Sequence, residues 1–329
     1  MDFRLQALER WLAEQPPAPT LPEGPFTLAP ASEDASFRRY WRARFADGRT
    51  LVVMDAPPDK EDCRPFVRIA HLLAGAGVHV PAIHAQNLAE GFLLLEDLGD
   101  ATFLDAFASQ PPGPLYAAAT DALVRLQLAS REGVLPPYDR ALLERELRLF
   151  PDWYVARELG RTLAAVETEV MTAAFDALLA NNLAQPAVYV HRDYHSRNLM
   201  VCDPMPGVLD FQDAVHGPIT YDLVSLLRDA YVAWEEEQVL DWCIRYWEKA
   251  RRAGLPVRAD FGDFYRDFEW MGAQRQLKVV GIFARLAHRD GKTRYLADIP
   301  RVLGYLLPTC RRYRELAPLA RLIEDLGGA

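Results

Sequence analysis

Residues 190–213 read VHRDYHSRNLMVCDPMPGVLDFQD. The stretch opens on an apolar strand end, sets His191 and Asp193 two apart, and places Asn198 five residues beyond that aspartate. A second apolar run, Gly207 to Leu209, ends on Asp210. Two carboxylates and an amide at strand ends and on a loop are the groups that phosphoryl transfer needs. One carboxylate orients or deprotonates an attacking hydroxyl, while a carboxylate and an amide oxygen hold magnesium on a triphosphate. Asp193 fits the first role, and Asn198 with Asp210 the second. A zinc site on His191 and His195 fits poorly, because no third soft ligand follows at metal spacing.

Upstream of this stretch the chain is β-rich. Residues 3–14 place Leu5, Leu8 and Leu12 at helical spacing beside Trp11, which predicts a short amphipathic helix. Residues 16–30 hold six prolines and read as a stiff loop rather than an element. FRRYWRARF at 37–45 and the apolar run at 50–54 predict a β-hairpin turning on Asp47-Gly48. Residues 62–75 read as a helix, and 92–96 (FLLLE) as a strand ended by Asp97-Leu98-Gly99-Asp100. Beyond residue 100 helical patterns dominate, at 115–131, 141–149, 162–183, 219–233, 237–253 and 261–289, with short β-like runs at 188–190 and 207–209. The expectation is an α+β protein of two lobes, a small β-rich lobe at 1–98 and a large, mainly helical lobe at 99–329.

The chain has 329 residues, 50% apolar and 25% charged, enough to bury a large core without disulfides or metals. A net charge of −9 argues against nucleic acid and anionic membranes as partners. Cys63, Cys202, Cys243 and Cys310 form no C-x-x-C pair, so free thiols in a reducing cytosol are expected. The charged N-terminus has no apolar signal core, and no apolar run approaches the ~18 residues of a membrane span. A monomeric, cytoplasmic protein acting on a small molecule is the expectation.

The pattern H-x-D-x-x-x-x-N, followed by an apolar strand and an aspartate, resembles the catalytic signature of the aminoglycoside phosphotransferase and choline kinase superfamily, relatives of the protein kinases. Asp222, within Tyr221-Asp222-Leu223, matches the aspartate that braces the catalytic loop in that family. The resemblance implies a two-lobed protein-kinase-like fold binding ATP and Mg2+ between the lobes, with His191 holding the loop. Residues 32–42, SEDASFRRYWR, would be the phosphate-covering loop and strand. They contain no glycine, and Ala35 and Ser36 are the small residues there. The strand that carries the family's lysine has Met54 at that position. Period-two alternation puts Arg38, Tyr40 and Arg42 on one strand face. With Tyr40 against adenine, Arg38 would grip phosphate in place of the lysine, and Arg39 is the alternative. A solvated basic strand face is the plainer reading. Residues 93–99 fit the hinge, where the Glu96 carbonyl and Leu98 amide would meet adenine.

The acceptor is read from charge. Arg275, Lys278, Arg285 and Arg289 fall at spacings of three, seven and four, sharing one helix face in an acidic chain. A solvated basic face is one reading; a site for a neutral or anionic acceptor is the other. ASFRRYWR, VVMDAPPDKEDCRPF, GFLLLEDLGD, HRDYHSRNLM, GVLDFQDAVHGPITYDL and GIFARLAHRDGKTRYL are similar to the anomeric amino-sugar kinases of bacterial cell-wall (peptidoglycan) recycling. Those enzymes phosphorylate the C1 hydroxyl of N-acetylmuramate and N-acetylglucosamine, and Met54 belongs to their pattern. The lactyl carboxylate of N-acetylmuramate suits a basic pocket. Glu146, Trp153, Tyr154, Arg275 and Lys278 lie on segments that would line the cleft of this fold and are the candidate sugar contacts. Two alternatives stand: a kinase of the same fold for an aminoglycoside, choline or homoserine, and a nucleotide-binding pseudokinase suggested by Met54. Retention of Asp193, Asn198 and Asp210 together opposes the second.

Overall fold

The structure is a computed structural model describing residues 3–15, 22, 24–32 and 37–327. The chain divides into two units. The first comprises residues 1–101 and 200–213, and the second residues 102–199 and 214–329. The boundary expected from sequence is residue 98, with 200–213 in the helical lobe.

In the first unit, α1 (Phe3–Ala13) precedes β1 (Phe26–Ser32), β2 (Arg39–Phe45), β3 (Thr50–Asp55), α2 (Cys63–Gly75), β4 (Ile83–Asn87) and β5 (Phe92–Glu96). The five strands form one antiparallel sheet in the order β1-β2-β3-β5-β4. Leu8 and Leu12 of α1 pack on Ala43, Phe45, Leu51, Val53, Phe92 and Leu94, the sheet's apolar face. The expected hairpin is present, and Gly48 takes the left-handed φ of +86° that its turn requires. The proline-rich stretch is corrected: it ends in β1 rather than running as loop to residue 30. Pro30 is tolerated because β1 is an edge strand, and its register shifts between Pro30 and Ser32. Residues 200–213 complete this unit. Phe211 packs on Phe66 at 4.8 Å, and the Val208 amide donates to the His79 carbonyl at 2.8 Å.

The second unit contains α3 (Phe103–Ala106), α4 (Pro112–Leu128), α5 (Arg140–Leu147), a π-helical segment Phe150–Glu158 and α6 (Ala165–Leu183). After the site loop come α7 (Tyr221–Leu227), α8 (Glu236–Arg252), α9 (Phe261–Asp290), α10 (Ile299–Arg312) and α11 (Ala317–Asp325). A 30-residue helix, α9 is the axis of this unit: nearly every residue from Phe264 to Ala284 is buried. It packs on the π-helical segment, α6, α7 and α10. Gly281 makes the closest approach possible, since a Cβ there would sit 2.4 Å from the Leu149 carbonyl oxygen. The antiparallel pair Ala187–Val190 and Val215–Pro218 delivers the chain to His191. The helix expected at 219–233 stops at Leu227 instead, because the Asp229 carboxylate takes the Ser196 and Tyr231 amides and turns the chain away.

Candidate active site

The loop after Val190 is held by carboxylates from behind. Arg192 adopts a left-handed φ of +79°, a conformation that a branched or bulky side chain takes only when surroundings impose it. The imposing group is Asp222 on α7: its two oxygens accept the His191 amide at 2.6 Å and the Arg192 amide at 3.0 Å. The Asp193 amide donates to His191 Nδ1 at 3.3 Å. Asp229 takes the Ser196 amide at 2.8 Å, and Tyr194 OH donates to the Ala119 carbonyl at 2.8 Å. Asn198 Nδ2 donates to the Asp193 carbonyl at 2.9 Å, which fixes the amide and leaves Oδ1 with no hydrogen bond from a described residue. Asp229 and Arg192 were not singled out from sequence, and His195 was weighed only as a zinc ligand. The available signal was the pair of aspartates, Asp222 and Asp229, within a largely apolar run.

Charge sets the state of Asp193. Burial alone would push its pKa up, but Lys278, His195, Arg275 and His191 outweigh it and hold the carboxyl below its usual range. Burial pushes His195 down, against the opposing pull of Asp229 and Asp193. Asp222 moves the other way: burial lifts it to about 7 despite its two amide donors.

The candidate sugar contacts divide. Glu146 on α5 is buried, bonded to Arg192 Nη2 at 2.6 Å, to Lys278 Nζ at 3.0 Å and to the Tyr138 hydroxyl. Burial would raise Glu146, yet Lys278 and Arg192 dominate and hold it ionised. Lys278 also donates to Tyr221 OH at 2.8 Å. Arg275 is buried one turn earlier on α9. The expected basic face is therefore not one solvated stripe: Arg275 and Lys278 are inside, Arg285 is half-buried, and Arg289 is exposed and paired with Asp290. Trp153 is half-buried and Tyr154 buried against Phe150 on the π-helical segment, a distortion that recurs at functional sites.

In the first unit, Asp210 ends the segment that returns to the sheet, in a left-handed φ of +62°. Arg38 Nη2 lies 3.6 Å from it, and Gln212 Nε2 donates to it at 2.9 Å. Arg39 instead reaches buried Asp55 at 2.6 Å, a carboxylate it shares with Arg4. Arg42 is bound to Asp97 at 2.7 Å and to Asp100. Among Arg38, Arg39 and Arg42, Arg38 has its guanidinium beside Asp210. Tyr40 is half-buried opposite Met54 in the β2–β3 register. Glu96 accepts the Ala82 amide at 3.1 Å, and Leu98 is buried. Ser36 lies outside the described residues. Oxygen donors of this kind suit magnesium: Asn198 presents an unused amide oxygen, Asp210 a partly exposed carboxylate, and beside it Gln212 Oε1 is sealed without a partner. Among the described residues no cluster of three His, Cys, Asp or Glu forms a metal cage.

The model of the phosphotransferase enzyme family matches residues 27–255, which takes in the sheet, the site loop and Asp222. The chain belongs to the phosphotransferase enzyme family. Within this family it is 53% identical to an N-acetylmuramate/N-acetylglucosamine kinase of Pseudomonas aeruginosa, over 99% of this chain and 97% of that one. It is also 53% identical to the kinase of the same name from Neisseria meningitidis, over 98% and 95% of the two chains. Among solved structures, a choline/ethanolamine kinase family protein from Mesorhizobium loti superposes with a TM-score of 0.60 at 16% identity, covering 98% of this phosphotransferase and 99% of that chain. The ADP-bound aminoglycoside phosphotransferase APH(2'')-Ib gives 0.58 at 13% identity, covering 93% and 98%. The fold is the two-lobed, protein-kinase-like α+β fold that the sequence predicts. No helix among the described residues is long and apolar enough to cross a membrane.

Proposed function

We propose that this phosphotransferase transfers the γ-phosphoryl group of ATP to the C1 hydroxyl of N-acetylmuramate and N-acetylglucosamine, as a monomeric cytoplasmic enzyme of cell-wall recycling. The observation that carries the acceptor is the near-full-length 53% identity to two kinases named for those sugars. The site chemistry is consistent with it. Asp193, kept ionised by its cationic neighbours, accepts or orients the hydroxyl proton. Asn198 and Asp210 hold Mg2+, which supplies charge neutralisation on the phosphates. Arg38 takes the phosphate-facing role that Met54 leaves open, and Arg39, committed to Asp55, does not. Tyr40, the Glu96 carbonyl and the Leu98 amide receive the adenine. His191 and Asp222 hold the loop, and Trp153, Tyr154 and the Glu146–Lys278 pair flank the sugar. Catalysis on this reading is positioning and electrostatics, without a covalent intermediate.

ATP consumption by the purified protein with Mg2+ tests the reading against N-acetylmuramate, N-acetylglucosamine, kanamycin, choline and no acceptor. Turnover with the two amino sugars and a C1 phosphate by phosphorus NMR is the expected result. Turnover with kanamycin or choline alone, or with no acceptor at all, refutes it.

A further inference from the structure

α9 brings two buried cations toward the Asp193 loop, and their surroundings differ. The charge of Lys278 is matched within the protein, by Glu146 at 3.0 Å and the Tyr221 hydroxyl at 2.8 Å. Arg275, three residues earlier, is 4% exposed and makes no hydrogen bond or ion pair with any described residue. Its Nε is sealed from solvent without a partner, so the remaining exposure belongs to the rest of the side chain. Asp193 and Asp222 feel its charge at a distance, but both oxygens of Asp222 are already taken by the His191 and Arg192 amides. A guanidinium carries five N–H donors in a fixed fork. With Nε sealed and no protein partner for the terminal nitrogens, this guanidinium is costly to keep in place, and an anion reaching its fork offsets that cost.

That anion comes with the substrate. On the sugar-kinase reading, on which this inference rests, the C1 hydroxyl meets Asp193. The lactyl carboxylate of N-acetylmuramate hangs from C3 of the same ring, a few ångströms further on. A cation close enough to influence Asp193 yet not touching it stands at the right remove. A planar carboxylate also matches the guanidinium fork in a two-point contact. We infer that Arg275 is the specificity-determining residue for the acidic sugar, its guanidinium gripping the lactyl carboxylate of N-acetylmuramate, a contact that N-acetylglucosamine does not make. Lys278 is a structural cation and takes no part in telling the two sugars apart.

The test is the ratio of kcat/KM for N-acetylmuramate over N-acetylglucosamine in wild type, Arg275→Gln and Arg275→Lys. Truncating one partner of a buried charge pair predicts a fall in that ratio on the order of 100-fold for R275Q, carried mainly by KM. R275K, which keeps the charge and loses the fork, should fall on the order of tenfold. Circular dichroism melts report whether each variant folds, and R275K carries the test if R275Q does not. An unchanged ratio overturns the inference, including the case where both sugars lose activity in parallel and Arg275 serves the transferred phosphoryl group instead. Wild-type protein inactive on both sugars is a different result, and it overturns the underlying reading as well.

Discussion

Asp193 can accept a proton only while it is ionised, and four cationic or potentially cationic side chains around it decide that state. His191 and His195 reach it from its own loop, and Arg275 and Lys278 from α9. Asp193→Asn removes the proton acceptor at constant shape. We expect kcat to fall roughly 10²- to 10⁴-fold with nucleotide affinity retained, read by steady-state kinetics and calorimetry. Near-normal turnover would exclude the role. Lys278→Met removes a charge that lowers the Asp193 pKa, so that pKa rises. The acid limb of the kcat/KM profile should then move to higher pH, with activity lost at pH values the wild type tolerates; an unmoved limb would contradict the assignment. These loop residues were legible because their chemistry sits on one short stretch with fixed spacing. The Glu146–Arg192–Lys278 cluster was not, because α5, the loop and α9 supply one member each from positions far apart in sequence. The same limit applied to Arg38 and Arg39: adjacent residues look alike on a strand, and only the pairing of Arg39 with Asp55 separates them.

Elements with strong periodicity were read correctly, and those shaped by tertiary contacts were not. β1 escaped notice because proline masks an edge strand, and β4 because IHAQN is a polar edge strand with little alternation. The apolar run after Tyr221 continues past Leu227, so nothing local marks the helix end that Asp229 imposes from the site loop. The π-helical segment had no signature of its own; α9 packs closely on Leu149, the residue that precedes it, at Gly281. Gly281→Ala puts a methyl group where the Leu149 backbone lies. It should cost about 1–3 kcal/mol of stability by urea titration and displace the segment that bears Trp153 and Tyr154. A variant as stable as wild type would mean that this contact relaxes freely.

For the molecule as a whole, the family follows from the match over 27–255 and from near-full-length relatives at 53% identity. The division into two units is less simple than a cut near residue 98, since residues 200–213 belong with the sheet. A fragment of residues 1–101 lacks Phe211 on Phe66 and the Val208 amide on the His79 carbonyl. It should melt without a cooperative transition, whereas the same fragment with 200–213 joined by a flexible linker should recover one. A cooperative melt of 1–101 alone would show that the returning segment is dispensable for that core.

The same return sets a timetable for synthesis. The sheet of the first unit is fully translated by residue 96, but the strip that finishes it, carrying Asp210 and Phe211, emerges only after the intervening helices. At ~5–20 residues per second the ribosome takes roughly 6 to 23 seconds to cover the distance. Throughout that interval the apolar patch around Phe66 and Leu98 waits for its cover and is open to chaperones. Slow codons within 102–199 lengthen this wait, and slow codons after 213 do not.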